Sequence, residues 1–185
     1  SGSARAGLFC PGGTALSGGT SADVTVTCSD GTSQTKTITC GSEVDSVGTG
    51  SSYHGGASCK ASAVDARDKI AVTSTGDSNG GDSAQWLPKA AMRTSFYLPH
   101  GSDYVSIVGT SAGSVTIDGT TVSLTCSNGL CGYYNSGSSP KTQTYNAGVA
   151  ISSTVPVMIV GQLYDNDGDE FNLWGFDSTT FDATC

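Results

Sequence analysis

Oxygen-bearing side chains recur twice in this chain at a spacing suited to a hard cation. The second set places Asp165, Asp167 and Asp169, with Glu170 adjacent, at alternate positions of a glycine-containing turn. Calcium takes roughly six to eight oxygens in flexible geometry, and a D-x-D-x-D turn brings carboxylates to one centre. The glycine stands at the fourth position and no glutamate stands at the twelfth, so the loop is not an EF-hand. The first set, Asp77, Asn79 and Asp82, has a glycine where the third aspartate would be and is the weaker of the two. Both sets are candidate calcium ligands. The competing reading is a solvated polar turn, where Asp, Asn and Gly belong for backbone reasons alone.

The two loops are copies of one pattern. Aligning Asp77 with Asp165 also aligns Asn79 with Asp167, Gly80 with Gly168, Asp82 with Glu170 and Trp86 with Trp174. These are the chain's only 2 tryptophans, and each follows an apolar stretch and an acidic turn. Trp86 and Trp174 are candidate platforms for stacking a sugar ring. Their matched positions, with Leu87 and Leu173 beside them, favour the role of repeated structural anchors.

Other catalytic patterns are thin. His54 and His100 are the only histidines, with no G-x-S-x-G elbow, no H-E-x-x-H and no zinc-ligand spacing. A glycosidase pair would draw on Glu43 and Glu170, the only glutamates, which makes a secreted hydrolase the weakest reading. The 7 cysteines are Cys10, Cys28, Cys40, Cys59, Cys126, Cys131 and Cys185, which allows three internal bridges and one thiol left over. Cys126 and Cys131 are close enough in sequence for a local bridge. Cys28 lies beside a predicted turn and Cys40 at the far end of the same hairpin, so a Cys28–Cys40 bridge is not expected. Cys10 and Cys185, nearest the termini, are expected to reach distant partners or another subunit.

The elements that position these residues read as strands throughout. Asp23-Val24-Thr25-Val26-Thr27 alternates with period two, and Thr35 to Thr39 follows a short glycine loop, giving a hairpin. Residues 41–58 read as loop. Lys69 to Val72, Ser95 to Leu98 and Tyr104 to Val108 read as strands. Asp118-Gly119 between Ser114–Ile117 and Thr120–Thr125 is the clearest hairpin turn, because both central positions need positive φ. Gly132 to Lys141 reads as loop. Val149–Ile151 and Val155–Val160 read as two strands, with Pro156 tolerated near the start of the second. No stretch has a convincing helical period. The expected fold is an all-β, disulfide-stabilised β-sandwich with an internal strand–acidic turn–Trp repeat. It is drawn as one domain over 1–185, an N-terminal hairpin region (1–60) followed by a repeat-containing body (61–185).

Composition narrows the function. The 185 residues are 36% hydrophobic and 13% charged, with 26 glycines, which suits short strands, tight turns and a surface of hydroxyls. A net charge of −8, from 16 acidic and 8 basic residues, gives no electrostatic footprint for nucleic acid. No apolar stretch approaches the length of a membrane span. The cysteines point to an oxidising compartment, and the chain has no N-glycosylation sequon. Its start at Ser1, without methionine or apolar leader, reads as a processed or trimmed form.

From about Ala61 onward the chain resembles the IgGFc-binding-protein N-terminal type of domain and its bacterial surface relatives. The residues that carry the resemblance are Val155 to Val160 running into Asp165–Glu170, Trp86-Leu87-Pro88, and Tyr104 to Val108 leading into Val115-Thr116-Ile117-Asp118-Gly119. The resemblance implies an extracellular, β-rich, adhesive and non-catalytic domain. The expected function is extracellular adhesion or structure, including a subunit of a surface fibre or matrix, stabilised by calcium. Expected partners are other copies of the chain, extracellular matrix or a glycan. The alternative is a calcium-assisted, lectin-like carbohydrate-binding module.

Overall fold

The computed structural model describes residues 3–42, 45–52, 58–75, 85–134, 144–163, 170–173 and 175. Among them there is no α-helix, only one 3-10 turn at Lys89–Ala91. No described helix is long and apolar enough to cross a membrane. The chain divides into two compact units, Ser1–Trp86 and Leu87–Cys185. The seam near residue 60 that the sequence suggests is therefore not the one the contacts draw. The residues just beyond it stay with the first unit, because β5 and β6 complete that unit's two sheets.

The first unit holds β1 (Ser3–Phe9), β2 (Ser21–Cys28), β3 (Ser33–Thr39), β4 (Asp45–Ser52), β5 (Cys59–Ala63) and β6 (Ala71–Thr75). They form two antiparallel sheets, ordered β4-β1-β6 and β3-β2-β5. Both contribute to one core: Ala6 and Leu8 from β1, Ala22, Val24 and Val26 from β2, Ile38 from β3 and Val72 from β6. Two faced sheets over one core make a small sandwich. Each fully buried aliphatic side chain is worth roughly 1.5–3 kcal/mol.

Strand β2 shows how the sequence dictates this. Ala22, Val24, Val26 and Cys28 point inward, while Asp23, Thr25 and Thr27 point outward. The outward residues meet their cross-strand partners on β3. Thr25 Oγ1 and Thr35 Oγ1 lie 2.8 Å apart, Thr27 Oγ1 and Ser33 Oγ 3.2 Å, and the Thr37 hydroxyl donates to Asp23 Oδ1 at 2.5 Å. Such pairs contribute a few tenths to about 1 kcal/mol each. Residues 45–52, expected as loop, form β4 at a sheet edge. Their sequence, Asp-Ser-Val-Gly-Thr-Gly-Ser-Ser, carries almost no apolar alternation; backbone pairing with β1 supplies what side chains do not.

The second unit holds β7 (Arg93–Tyr97), β8 (Ser102–Gly109), β9 (Ser114–Ile117), β10 (Thr120–Ser123), β11 (Thr125–Ser127), β12 (Leu130–Tyr134), β13 (Ala150–Leu163) and β14 (Glu170–Leu173). One long strand organises it. The first part of β13 lies between β9 and β7, with Ile151 opposite both Ile117 and Phe96. Its last part lies between β8 and β14, with Ile159 opposite both Ile107 and Leu173. A strand that changes partners along its length makes the corner of a two-sheet arrangement. The shared core is built from Phe96, Val105, Ile107, Val115, Ile117, Ile151, Val157, Ile159 and Leu173.

Read from the sequence, β13 is two strands with Pro156 near the start of the second. It is instead continuous, with Pro156 in its interior. Proline is tolerated there because pairing with β9 ends at Ser153 and pairing with β8 begins at Val157. Side chains replace the missing ladder: the Ser114 N–H donates to Thr154 Oγ1 at 2.9 Å, and the Ser153 hydroxyl donates to the Val155 carbonyl at 2.7 Å. Gly113 fits against this bend, since an added Cβ would stand 2.6 Å from Val155 Cγ2.

Candidate functional site

The cysteines settle first. Cys10 bonds Cys40, Cys28 bonds Cys59, and Cys126 bonds Cys131. Cys10 follows β1 and Cys40 follows β3, so this bridge ties the two sheets of the first unit together. Cys28 and Cys59 are opposite each other on β2 and β5. The expected local bridge spans β11 and β12, and Cys28 and Cys40 are not joined to each other. Cys10, expected to reach a distant partner or another subunit, pairs with Cys40, 30 residues away in the same chain. Cys185 lies outside the described residues. Gly41, with φ +78°, donates its N–H to the Cys10 carbonyl at 2.8 Å, and an added Cβ would collide with the Gly12 carbonyl oxygen.

Of the proposed cation ligands, Asp77, Asn79, Asp82, Asp165, Asp167 and Asp169 lie outside the described residues, as do Trp174 and His54. Glu170 opens β14, with its backbone opposite Gln162. What the structure does describe is the frame around each loop, and in both copies it is a hairpin. Gln85 bridges Thr73 in the first. Leu173, the repeat counterpart of Gln85, lies opposite Ile159, the counterpart of Ala71. The register slides between copies by two residues, and the core-facing positions differ: Val72 is buried in the first copy, whereas Ile159 and Leu173, the counterparts of Ala71 and the exposed Gln85, are buried in the second. Trp86 donates its backbone N–H to the Val72 carbonyl at 2.8 Å and packs, partly buried, on the first unit's core. That is an anchor's position. Among the described residues no three His, Cys, Asp or Glu side chains form a metal-sized group.

Two other polar arrangements bring together residues that nothing in the sequence joins. Asp68, 8% exposed, accepts the Ser17 backbone N–H at 2.7 Å and the Ser17 hydroxyl at 3.0 Å, across a separation of 51 residues. It fastens the loop after β1 to the segment between β5 and β6. Nearby, Asp65 receives two guanidinium bonds from Arg67, at 2.9 and 2.6 Å, and the Arg67 backbone N–H at 3.0 Å. Those bonds hold its carboxyl down at about 2.

The second arrangement is a groove of about 330 Å³ in the second unit. Ile117 and Val122, on β9 and β10, supply its apolar lining. Asp118 and Thr120 stand at the turn of the same hairpin, where Asp118 and Gly119 have φ +47° and +76°. Tyr133 comes from β12, opposite Ile107 of β8. Tyr145 and Thr144 come from a segment pinned to the start of β8: Ser102 and Tyr145 exchange N–H···O bonds of 2.9 Å each way. The phenol of Tyr133 is pushed above its usual range, by burial first and by the neighbouring Tyr145 second. Among the described residues the groove is lined by two tyrosines, two threonines, two aliphatic side chains and one carboxylate, carried by strands β9, β10 and β12, the Asp118-Gly119 turn and the segment bridged to Ser102. Side chains of these kinds can hold a ligand by apolar contact and hydrogen bonding. The groove's one sequence signal was the Asp118-Gly119 turn, since Tyr133 falls in a stretch that reads as loop and nothing in the sequence joins it to Tyr145 or the turn.

Compared with known proteins, the chain matches no family model, no curated protein and no solved structure.

Proposed function

We propose that this chain is an extracellular, non-enzymatic structural or adhesive protein, working as a subunit of a surface fibre or matrix. The observation that carries the reading is the make-up of its outer faces. Hydroxyls are paired across strands at Thr25–Thr35, Thr27–Ser33 and Thr116–Thr121, on units locked by three disulfides. Hydroxyls already fixed in place lose little entropy on contact, and a face with few charges does not repel its own copy. The resemblance to extracellular adhesive domains supports the same reading, as do disulfides, which persist in oxidising compartments. Calcium belongs to it through the alternating carboxylates Asp165, Asp167 and Asp169 beside Glu170.

The test measures sedimentation of the chain over a range of concentrations, with and without calcium, alongside retention on immobilised extracellular matrix. Self-association or matrix retention is expected. A chain that remains monomeric and is not retained in either condition sinks the proposal. The calcium element has its own readout, because an ion bound only to the folded state raises the melting midpoint. An unchanged midpoint at several millimolar calcium removes it.

A second reading, a carbohydrate-binding module, is favoured by one specific observation, the tyrosine groove of the second unit.

A further inference from the structure

We infer that the groove between the β9–β10 hairpin and β12 is a calcium-independent binding site for a neutral sugar ring, held by Tyr133 and Tyr145 and oriented by Asp118. The inference rests on the carbohydrate-module reading and deepens it by naming the site and the class of sugar.

Four features of the groove select this ligand. Its volume of about 330 Å³ lies at the small end of ligand pockets, which suits one or two sugar rings. A pyranose presents an apolar C–H face and a rim of hydroxyls, and the groove mirrors both. Ile117 and Val122, with the half-buried rings of Tyr133 and Tyr145, are the apolar complement. Asp118, Thr120 and Thr144, all exposed, are the polar rim. A carboxylate accepts hydrogen bonds from two neighbouring hydroxyls at once and is a stronger acceptor than a neutral oxygen.

The charge decides against other ligands. Among the described residues the lining contains one carboxylate and no Lys, Arg or His, so there a phosphate, sulfate or acidic sugar meets repulsion with no compensating cation. The one carboxylate among the described lining residues also falls far short of the oxygen count that calcium requires. Binding at this groove is therefore indifferent to chelators, which separates it from a lectin that works through a bridging ion.

The parts are held firmly enough to select a shape. Asp118 sits in a two-residue turn whose left-handed conformation is fixed by the pairing of Ile117 with Thr120. Tyr133 is carried on β12 and Tyr145 on the segment bridged to Ser102, and both therefore hang from β8. A site borne on paired strands loses little on binding, because its side chains are already ordered.

The test titrates the full chain by two-dimensional NMR, in the presence of a chelator, with methyl glycosides of neutral hexoses and N-acetylhexosamines and with the corresponding linear tetrasaccharides. At least one sugar is expected to give saturable shifts centred on Tyr133, Tyr145 and the Asp118-Gly119 turn. Affinity equal for the glycoside and the tetrasaccharide identifies a chain end as the ligand, and tighter tetrasaccharide binding identifies the chain interior. Thr120→Arg and Thr144→Arg, both at exposed positions, block the groove without opening the core. Each is expected to weaken binding by about tenfold or more while leaving the melting midpoint unchanged. Asp118→Asn keeps a residue that accepts the left-handed turn and is expected to cost about tenfold through the lost charge. Saturable binding that neither arginine variant weakens overturns the groove and leaves the module reading standing. No saturable shift with any sugar overturns both.

Discussion

Removing the Cys10–Cys40 bridge is expected to weaken the first unit far more than removing Cys126–Cys131 weakens the second. In the chain-entropy model the cost rises with the logarithm of the loop closed. A separation of 30 residues gives about 12 cal/mol/K, or about 3.6 kcal/mol at room temperature; a separation of 5 gives about 2 kcal/mol. A unit spanning Ser1–Trp86 has about 4–13 kcal/mol of total stability on ordinary per-residue values, so the first loss removes a large fraction of it. Cys10 and Cys40 are 2% and 5% exposed, so alanine is the right replacement, leaving no buried thiols to account for. The assay is urea unfolding of the full chain followed by Trp86 fluorescence, with Trp174→Phe in every variant so that one indole reports. With a slope near 1 kcal/mol per molar for so small a unit, the midpoint falls by about 3.6 M. A loss below about 1 kcal/mol would refute the argument that this bridge clamps the two sheets. So would a Trp86 transition equally sensitive to Cys126→Ser/Cys131→Ser.

Three further outcomes follow from particular contacts. Gly41→Ala forces a side chain into the left-handed region and against the Gly12 carbonyl, and is expected to cost about 1–3 kcal/mol in the same unfolding measurement. Ile159→Ala empties a fully buried site where β13 meets both β8 and β14, with an expected loss of about 2–5 kcal/mol measured by calorimetry. Asp65, held at about 2 against an ordinary 3.8, has a depressed folded-state value, so its contribution is present above pH 4 and fades as pH falls toward 2. NMR titration should place its midpoint near 2, and Arg67→Ala should return it toward the ordinary value, with salt weakening the effect at this exposed pair.

What the sequence made legible was whatever depends on neighbours in the chain. The alternation of β2, the Asp118-Gly119 turn and the Cys126–Cys131 bridge are all local, and each stands where the residues indicate. A second turn of the same kind was there to be read. Asn128 and Gly129, with φ +51° and +74°, make the hairpin that brings Cys126 opposite Cys131 and starts β12, where the sequence suggested loop. Strand β4 was hidden because its pairing is backbone to backbone and leaves no apolar pattern. The continuity of β13 was hidden because Pro156 normally ends a strand, and only its change of partners makes the missing N–H harmless. The groove was the least legible, since Tyr133, Tyr145 and Asp118 meet only through β8 and the β9–β10 hairpin. The acidic repeat showed its frame, an antiparallel bridge in the first copy and a strand pair in the second, each leading to a tryptophan position.

The shared strand β13 bears on how the protein is made. Strands β7, β8 and β9 all pair with it, yet it is the last but one of the described strands to leave the ribosome. Until residue 163 has emerged, those strands lack their common partner, and their inward faces, Phe96, Ile107 and Ile117 among them, lack a core. The first unit has no such delay. All its strands and both its bridges are complete by Trp86, so translation order lets it close and oxidise while the second unit is still being synthesised. A nascent chain halted between Trp86 and Ala150 would therefore be a finished sandwich trailing a row of unpaired strand edges, the form most prone to join another copy.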